Sequence, residues 1–578
     1  MTLWTNYANG TWSTGSNWTG GVAPDGTSAT ADFVTLPGTV SGPAVISVTA
    51  GTAVTLANLN MSANSSGRYI IRRSSSGSGD ATLNLNSATG EAYVTIGGSG
   101  TSTIGNFSAS QRLNIALVTN VTFTVYGTLA SDSLISGTGR LALTGGGTFE
   151  MTGTVANTYS GGTEIQNGTI GISASGALGT GTILFGGSGS VGYTPANLVA
   201  HANATLTNSI TFARDADPVI AADTGVTLTL DPGNMKFLNA GRTIVFGTAS
   251  QNGTVVFGGP NGSVVYHYDH PEVDVAGGTL RIGGFTGNIL LLQSDKTTVE
   301  AGATLELTAT GNVINRLVNN GTVRTTASAL VFTAGLTQSN MTGTFVGTSG
   351  SDAVTFQNLQ TQNYAFNLSN ATFSNWTNGV DHINITSGSG ADYLIGSTYF
   401  DNISSGGGDD VVFGQAGSDT IALGSGNDLG FGGTGNDRIN GGSGTNSIDG
   451  GTGFDSADYT ANSSSVTITR LSNTSWQVSG SGFTDTVNNT ELLRFADRNI
   501  ALRERIRTDL DGNSVSDLIL QNGTALAGWT MANGAATGGT SLAVLGAGNT
   551  LVGTGDFNGD GATDLLVQSG SSFFAWPV

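Results

Sequence analysis

The chain has 578 residues, 90 of them glycine and none cysteine, with only 10% charged residues and a formal net charge of −20. This composition favours short strands and turns over helices and excludes disulfide frameworks and thiolate metal sites. Lysine occurs only as Lys236 and Lys296, and so negative a field repels a phosphate backbone. Cations rather than nucleic acid are the expected partners.

The charge is concentrated late, because residues 1–349 carry 12 basic and 17 acidic groups whereas residues 350–578 carry 7 and 22. No apolar run approaches the ~18 residues of a membrane helix, so no membrane span is expected. The opening MTLWTNYANGTW has neither the basic nor the apolar stretch of a leader peptide, and a C-terminal export signal is the expectation.

Residues 1–345 contain recurrent Gly-Thr-apolar pieces, among them Gly127-Thr128-Leu129, Gly168-Thr169-Ile170, Gly253-Thr254-Val255, Gly278-Thr279-Leu280 and Gly321-Thr322-Val323. Each reads as a turn followed by an alternating strand, and irregular spacing is what stacked coils with variable loops produce. The expected fold class is all-β: a right-handed parallel β-helix that continues into a parallel β-roll, with small blade-like β repeats at the C-terminus. A set of β-sandwiches is the alternative for the first region. The segment Asn157-Thr158-Tyr159-Ser160-Gly161-Gly162-Thr163, running on to Gly176-Ala177-Leu178-Gly179-Thr180-Gly181, resembles the passenger-associated strand repeat of bacterial autotransporters. The opening with Trp12, Asn17-Trp18 and Gly20-Gly21-Val22-Ala23-Pro24 resembles the cap found ahead of such repeats.

Lead-in strands are expected over 346–386, where Gly350-Ser351-Asp352 and Gly379-Val380-Asp381 share a G-x-D core. From 387 to 458 the chain divides into eight nine-residue units without a slip: SGSGADYLI, GSTYFDNIS, SGGGDDVVF, GQAGSDTIA, LGSGNDLGF, GGTGNDRIN, GGSGTNSID and GGTGFDSAD. The sixth position is Asp392, Asp401, Asp410, Asp419, Asp428, Asp437, Asn446 and Asp455, and the fourth is Gly390, Gly408, Gly417, Gly426, Gly435, Gly444 and Gly453, with Tyr399 the exception. This pattern resembles the RTX (repeats-in-toxin, haemolysin-type) nonapeptide, for which a calcium β-helix is the known reading.

Six residues of turn and three of strand make half a coil, so alternate aspartates line opposite edges. Carboxylates and glycine-loop carbonyls then supply the six to eight oxygens that Ca²⁺ takes. The eighth residues Leu394, Ile403, Val412, Ile421, Ile439 and Ile448 form a thin core, which Gly430 and Ala457 leave under-filled. Ten carboxylates against Arg438 alone predict a segment that orders only when calcium binds. The RTX resemblance implies type I secretion and an extracellular destination.

Residues 459–507 read as the segment closing the roll, because Asp485-Thr486-Val487 to Glu491-Leu492-Leu493-Arg494 resembles the usual RTX flank. Over 508–578, Asp509, Asp511, Asn513, Val515 and Asp517 repeat 47 residues later as Asp556, Asn558, Asp560, Ala562 and Asp564. The spacing matches the front of an EF-hand loop, but Leu520 and Val567 stand where its glutamate belongs. These loops resemble the FG-GAP or VCBS calcium loops of propeller blades, and the final SSFFAWPV is compatible with a type I secretion signal.

Catalysis is not expected. The one histidine cluster, Tyr266-His267-Tyr268-Asp269-His270-Pro271-Glu272, invites comparison with mannuronan epimerases, but it lacks their Asp-Pro-His order and a basic cleft. Composition and repeats together resemble RTX-bearing surface-layer proteins. The implied role is a self-associating structural protein of the cell surface, with cell-surface polysaccharide as a further partner; an adhesin or polysaccharide-binding protein is the alternative, then a polysaccharide lyase or epimerase.

Overall fold

The computed structural model describes residues 2–576 except 5–9, 35–43, 63–68, 77, 106–111, 188–194, 214–215, 232–234, 238–241, 259–264, 268–270, 284–295, 309–311, 336–340, 359–360, 503–516, 533–534 and 556–563. Among these residues the protein is all-β, apart from two short 3₁₀ turns, and no helix is long and apolar enough to cross a membrane. The chain divides into two compact units. The first comprises Met1–Thr337 with Thr342–Gly350 and Thr372–Asn375, and the second Gln338–Met341, Ser351–Ala371 and Trp376–Val578.

In the first unit successive strands are dealt in rotation to different sheets. Asn58–Ser62, Tyr69–Arg73 and Ala81–Leu85 each pair in parallel with the strand one coil later, namely Glu91–Gly97, Thr101–Gly105 and Leu113–Leu117. The result is a parallel β-helix. Parallel pairing overturns the sandwich alternative, whose strands would be antiparallel. Coil length varies, since Leu59 pairs with Val94 but Phe123 with Leu143, and this is why the Gly-Thr-apolar pieces are irregularly spaced.

Period-2 alternation sends one set of side chains inward, as in Ala81–Leu85, where Ala81, Leu83 and Leu85 are buried. Inward aromatics meet in the core, with Phe123–Phe149 tilted at 5.0 Å and Phe185–Phe212 stacked coil on coil at 5.1 Å. The N-terminal end is plugged by Trp4, Trp12, Trp18 and Phe33, with Trp4–Trp18 at 4.9 Å. In the segment from Asn157 to Gly181, Asn157 accepts from the N–H of Ile135 at 2.8 Å and donates to the carbonyl of Ala177 at 2.6 Å. Buried Tyr159 meets the Thr163 hydroxyl at 2.5 Å. Asn157 thus clamps neighbouring coils.

The second unit begins with two parallel sheets facing each other. One runs through Ala353–Gln357, His382–Thr386, Asp401–Ser404, Thr420–Ala422, Arg438–Asn440 and Ser456–Asp458 to Leu492–Arg494. The other runs through Ala365–Asn367, Tyr393–Ile395, Val411–Ala416, Leu429–Thr434 and Gly444–Thr452 to Phe483–Asn488. Antiparallel strands then finish both sheets: Asn499–Ala501 on the first, Ser475–Gly480 and Thr467–Arg470 on the second. Two three-stranded antiparallel meanders follow, Leu518–Asn522 with Ala525–Ala532 and Ala535–Val544, and Asn549–Gly555 with Asp564–Ser569 and Ser572–Trp576. They share a core of Leu526, Leu545, Leu565 and Val567.

Candidate metal centre

Each nine-residue unit folds as a turn and a short strand, and consecutive strands alternate between the two facing sheets. Leu394, Ile403, Val412, Ile421, Ile439, Ile448 and Ala457 are all buried between them. The under-filled position expected at Gly430 is not under-filled. A methyl at Gly430 would lie 2.8 Å from Cδ1 of Leu423, whose side chain is itself fully buried. Leu423 occupies the first position of the same unit and supplies the missing volume.

The sixth-position residues form two ladders. On one edge the N–H of Asp392 donates to Oδ1 of Asp410 at 2.7 Å, that of Asp410 to Asp428 at 2.8 Å, and that of Asp428 to Oδ1 of Asn446 at 3.0 Å. On the other, the N–H of Asp401 donates to Asp419 at 2.8 Å, Asp419 to Asp437 at 2.7 Å and Asp437 to Asp455 at 2.8 Å. All eight side chains are at most 3% exposed. The structure therefore brings the predicted aspartates together in the two predicted sets.

The glycines explain how the turns stack so closely. Gly408, Gly417, Gly426, Gly435, Gly444 and Gly453 all have positive φ, and a methyl on Gly435 would collide with the carbonyl oxygen of Gly417 directly beneath. Gly390 differs: its φ lies outside that region, and it packs against the backbone of Gln362 and Asn363. The regular turn conformation thus starts at Gly406, and the first two units, one of them carrying Tyr399, form a transition. Gln415 adopts φ 83° at a second position that is glycine in the four units that follow.

Using one carboxylate oxygen as acceptor leaves the second without a partner at Asp419, Asp428, Asp437 and Asp455, all at Oδ2. Several of these oxygens converge with main-chain carbonyls. A methyl at Gly432 would overlap Oδ2 of Asp437 and lie 2.5 Å from the carbonyl oxygen of Gly450, and Gly414 stands likewise between Asp419 Oδ2 and the Gly432 carbonyl. Burial raises the carboxyls accordingly, Asp419 to about 9 with the Asp401 charge adding to it, Asp401 and Asp455 to about 7, and Asp410 and Asp437 to about 6. Stranded, desolvated carboxylate oxygens are costly without a cation. Among the described residues no three Asp, Glu or His side chains are grouped to hold a metal alone. A cation here must draw on carbonyls as well, and this all-oxygen donor set suits Ca²⁺.

The ladders end on Asp485 and Glu491, side chains that the nine-residue period does not single out. In the flanking segment Asp485 lies level with Asn446, and Val487 level with Ile448. The Asn446 amide donates to Oδ1 of Asp485 at 2.8 Å. Leu493 lies level with Ala457, and the N–H of Asp455 donates to Oε2 of Glu491 at 2.9 Å. Two further half-coils are therefore built without glycine repeats. The available signal was Thr484-Asp485-Thr486-Val487, which matches Thr445-Asn446-Ser447-Ile448 in polarity.

Of the C-terminal loop residues, Asp509, Asp511, Asn513, Val515, Asp556, Asn558, Asp560 and Ala562 lie outside the described residues. Asp517 and Asp564 are described and buried, with Asp517 accepting from the N–H of Met531 at 2.8 Å. Of the histidine cluster, Tyr268, Asp269 and His270 also lie outside the described residues, while Val265–His267 forms a strand. Outside that cluster, His201 stands between two carboxylates. Its Nε2 is 3.0 Å from Glu150 and its Nδ1 2.8 Å from Asp223. Burial lowers its pKa, but the hydrogen bond to Asp223 and the charge of Glu150 carry it above its ordinary value.

Residues 386–421 and 424–457 match the family described as RTX calcium-binding nonapeptide repeat (4 copies). No curated protein matches the chain, and no solved structure does. RTX calcium-binding repeats are thus present in this protein; such repeats bind Ca²⁺ at multiple sites and belong generally to secreted proteins.

Proposed function

We propose that this chain is a structural protein of the cell exterior that self-assembles into a surface layer or related coat, and whose repeat segment folds when calcium binds. The observation that carries this reading is the pair of buried aspartate ladders; along the edge of Asp419, Asp437 and Asp455 the stranded oxygens face main-chain carbonyls instead of cationic side chains. Asp392, Asp401, Asp410, Asp419, Asp428, Asp437 and Asp455 would supply carboxylate ligands, and the turns at Gly390, Gly408, Gly417, Gly426, Gly435, Gly444 and Gly453 carbonyl ligands. Bound Ca²⁺ supplies the positive charge that these oxygens lack, linking ion binding to folding. Low cytosolic calcium would keep the segment unfolded for passage through a type I secretion apparatus. The loops led by Asp509 and Asp556 would take further ions.

A long parallel stack with few charges and no cysteine suits a durable coat. Purified protein imaged by electron microscopy should form ordered sheets on adding calcium and lose them with chelator. Calcium-loaded protein that stays monomeric would sink the coat reading. A second reading, adhesion to cell-surface polysaccharide, draws on Tyr93 and Tyr126 of the β-helix, which are 44% and 64% exposed and so present ring faces for stacking on sugars. Glycan binding by monomers, weakened in Tyr126→Ala, would favour it.

A further inference from the structure

Resting on the calcium reading of the repeats, we propose that the ladder through Asp401, Asp419, Asp437 and Asp455 runs one site beyond them, with a Ca²⁺ held by Asp455, Glu491 and the carbonyl of Asn489, while Asn446 closes the opposite edge.

Along this edge every unit from Gly396 onward begins with glycine, namely Gly396, Gly414, Gly432 and Gly450. At each of these positions a methyl would run into the aspartate of the same unit and into a carbonyl oxygen from the next level. That carbonyl belongs to Gly414, then Gly432, then Gly450. At Gly450 no repeat remains to provide it, yet the carbonyl oxygen of Asn489 takes the equivalent place, and Oδ2 of Asp455 lies 2.8 Å from the same point. Asp455 is 1% exposed and its Oδ2 has no hydrogen-bond partner. A buried carboxylate oxygen aimed at a converging carbonyl calls for a cation.

Glu491 supplies the next level's carboxylate. It accepts the N–H of Asp455 through Oε2, as each aspartate does for the one before it. Asn489 is fixed in place, since its amide donates to Oδ1 of Asp449 at 2.9 Å, and its φ of 46° turns the chain sharply at this point. Two carboxylates and a carbonyl, completed by water, fall within the donor chemistry of Ca²⁺.

The opposite edge ends otherwise. There the first positions are Ser387, Ser405, Leu423 and Gly441, the Ser387 hydroxyl bonds Oδ2 of Asp392, and the Ser405 hydroxyl donates to the carbonyl of Leu423 at 2.7 Å. At the last level Asn446 turns an N–H₂ donor toward Asp485. At this level the edge offers the single carboxylate of Asp485, with an amide donor in place of a second carboxylate and no converging carbonyl at Gly441, so it closes without metal although Oδ2 of Asp485 has no partner.

Calcium binding to the full chain, measured by equilibrium dialysis against buffered Ca²⁺, tests the asymmetry. Glu491→Gln keeps an acceptor for the Asp455 N–H and should bind one Ca²⁺ fewer per chain than the wild type. Asn446→Asp should bind one more, because a second carboxylate oxygen replaces the amide. Circular dichroism at saturating calcium checks that each variant keeps the β signal, and Glu491→Asn, which also lacks the carboxylate, is read in the same way if Glu491→Gln does not. An unchanged stoichiometry in folded Glu491→Gln or Glu491→Asn overturns the proposal. A wild type that binds calcium only at the C-terminal loops, or not at all, overturns the repeat reading itself.

Discussion

The main-chain N–H of Asp419 donates to Oδ1 of Asp437 at 2.7 Å, one level further along the same edge. This single bond fixes the carboxylate's orientation and commits one of its oxygens, so that the other is turned toward the turn carbonyls. Repeated along the edge, it converts a periodic sequence into a row of oriented, half-satisfied anions. In the folded roll, backbone hydrogen bonds thus orient the oxygens that a cation would meet.

The carboxyls raised by burial imply an inverted pH dependence for the calcium-free protein. Asp419 at about 9, Asp401 and Asp455 at about 7, and Asp410 and Asp437 at about 6 hold their protons more tightly folded than unfolded. Their contribution to stability is therefore present below the ordinary aspartate pKa of ~3.9 and is lost as pH rises through about 6 to 9. In chelator, circular dichroism of the full chain should show more β structure at pH 4.5 than at pH 8.5, and calcium should restore it at pH 8.5. A calcium-free spectrum that gains β structure with rising pH would contradict this.

Gly432→Ala separates the ion's cradle from the backbone conformation. Gly432 does not have positive φ, so the added methyl brings no left-handed strain, but it would press on Oδ2 of Asp437 and lie 2.5 Å from the carbonyl of Gly450. Calcium affinity of the roll should fall about tenfold, roughly 1.4 kcal/mol, by titration calorimetry. Wild-type affinity in this variant would mean that the two oxygens do not share an ion.

Gln415 is exposed and holds φ 83°, a region that costs a non-glycine residue about 1 kcal/mol. Gln415→Gly should therefore stabilise the calcium-loaded protein by about that amount in denaturant unfolding. Destabilisation instead would reveal a contact of the glutamine side chain that outweighs the backbone relief.

Leu423 and Gly430 share one volume, and their substitutions should be coupled. Leu423→Ala alone should cost about 2–4 kcal/mol as a cavity-forming change. Gly430→Ala alone should also destabilise, because its methyl would stand 2.8 Å from Leu423 Cδ1. The double variant should be more stable than the sum of the two effects predicts, by about 0.5–3 kcal/mol of coupling. Strict additivity in a double-mutant cycle would show that the two sites do not meet.

Much of the roll was legible in the sequence because the nine-residue period translates directly into space. Two units make a coil, so Asp401 must stand under Asp419, and Ile403 under Ile421 in the core. In the first 345 residues the same alternation revealed strands but not their partners, since insertions change the coil length from one level to the next. Leu59 meets Val94 across a coil that no fixed period foretells.

By itself, the sequence determined composition, strand alternation, the aspartate ladders and the choice of calcium, all of which depend on residues near one another along the chain or at constant spacing. Tertiary structure alone decided that Leu423 fills the gap at Gly430, that Gly390 is not a regular turn glycine, and that Asp485 and Glu491 extend the ladders after the hairpin strands Thr467–Arg470 and Ser475–Gly480 intervene. The reason is physical. A ladder rung requires only an oxygen at the right height beside the sheet, and folding can deliver that oxygen from residues whose spacing carries no trace of the repeat.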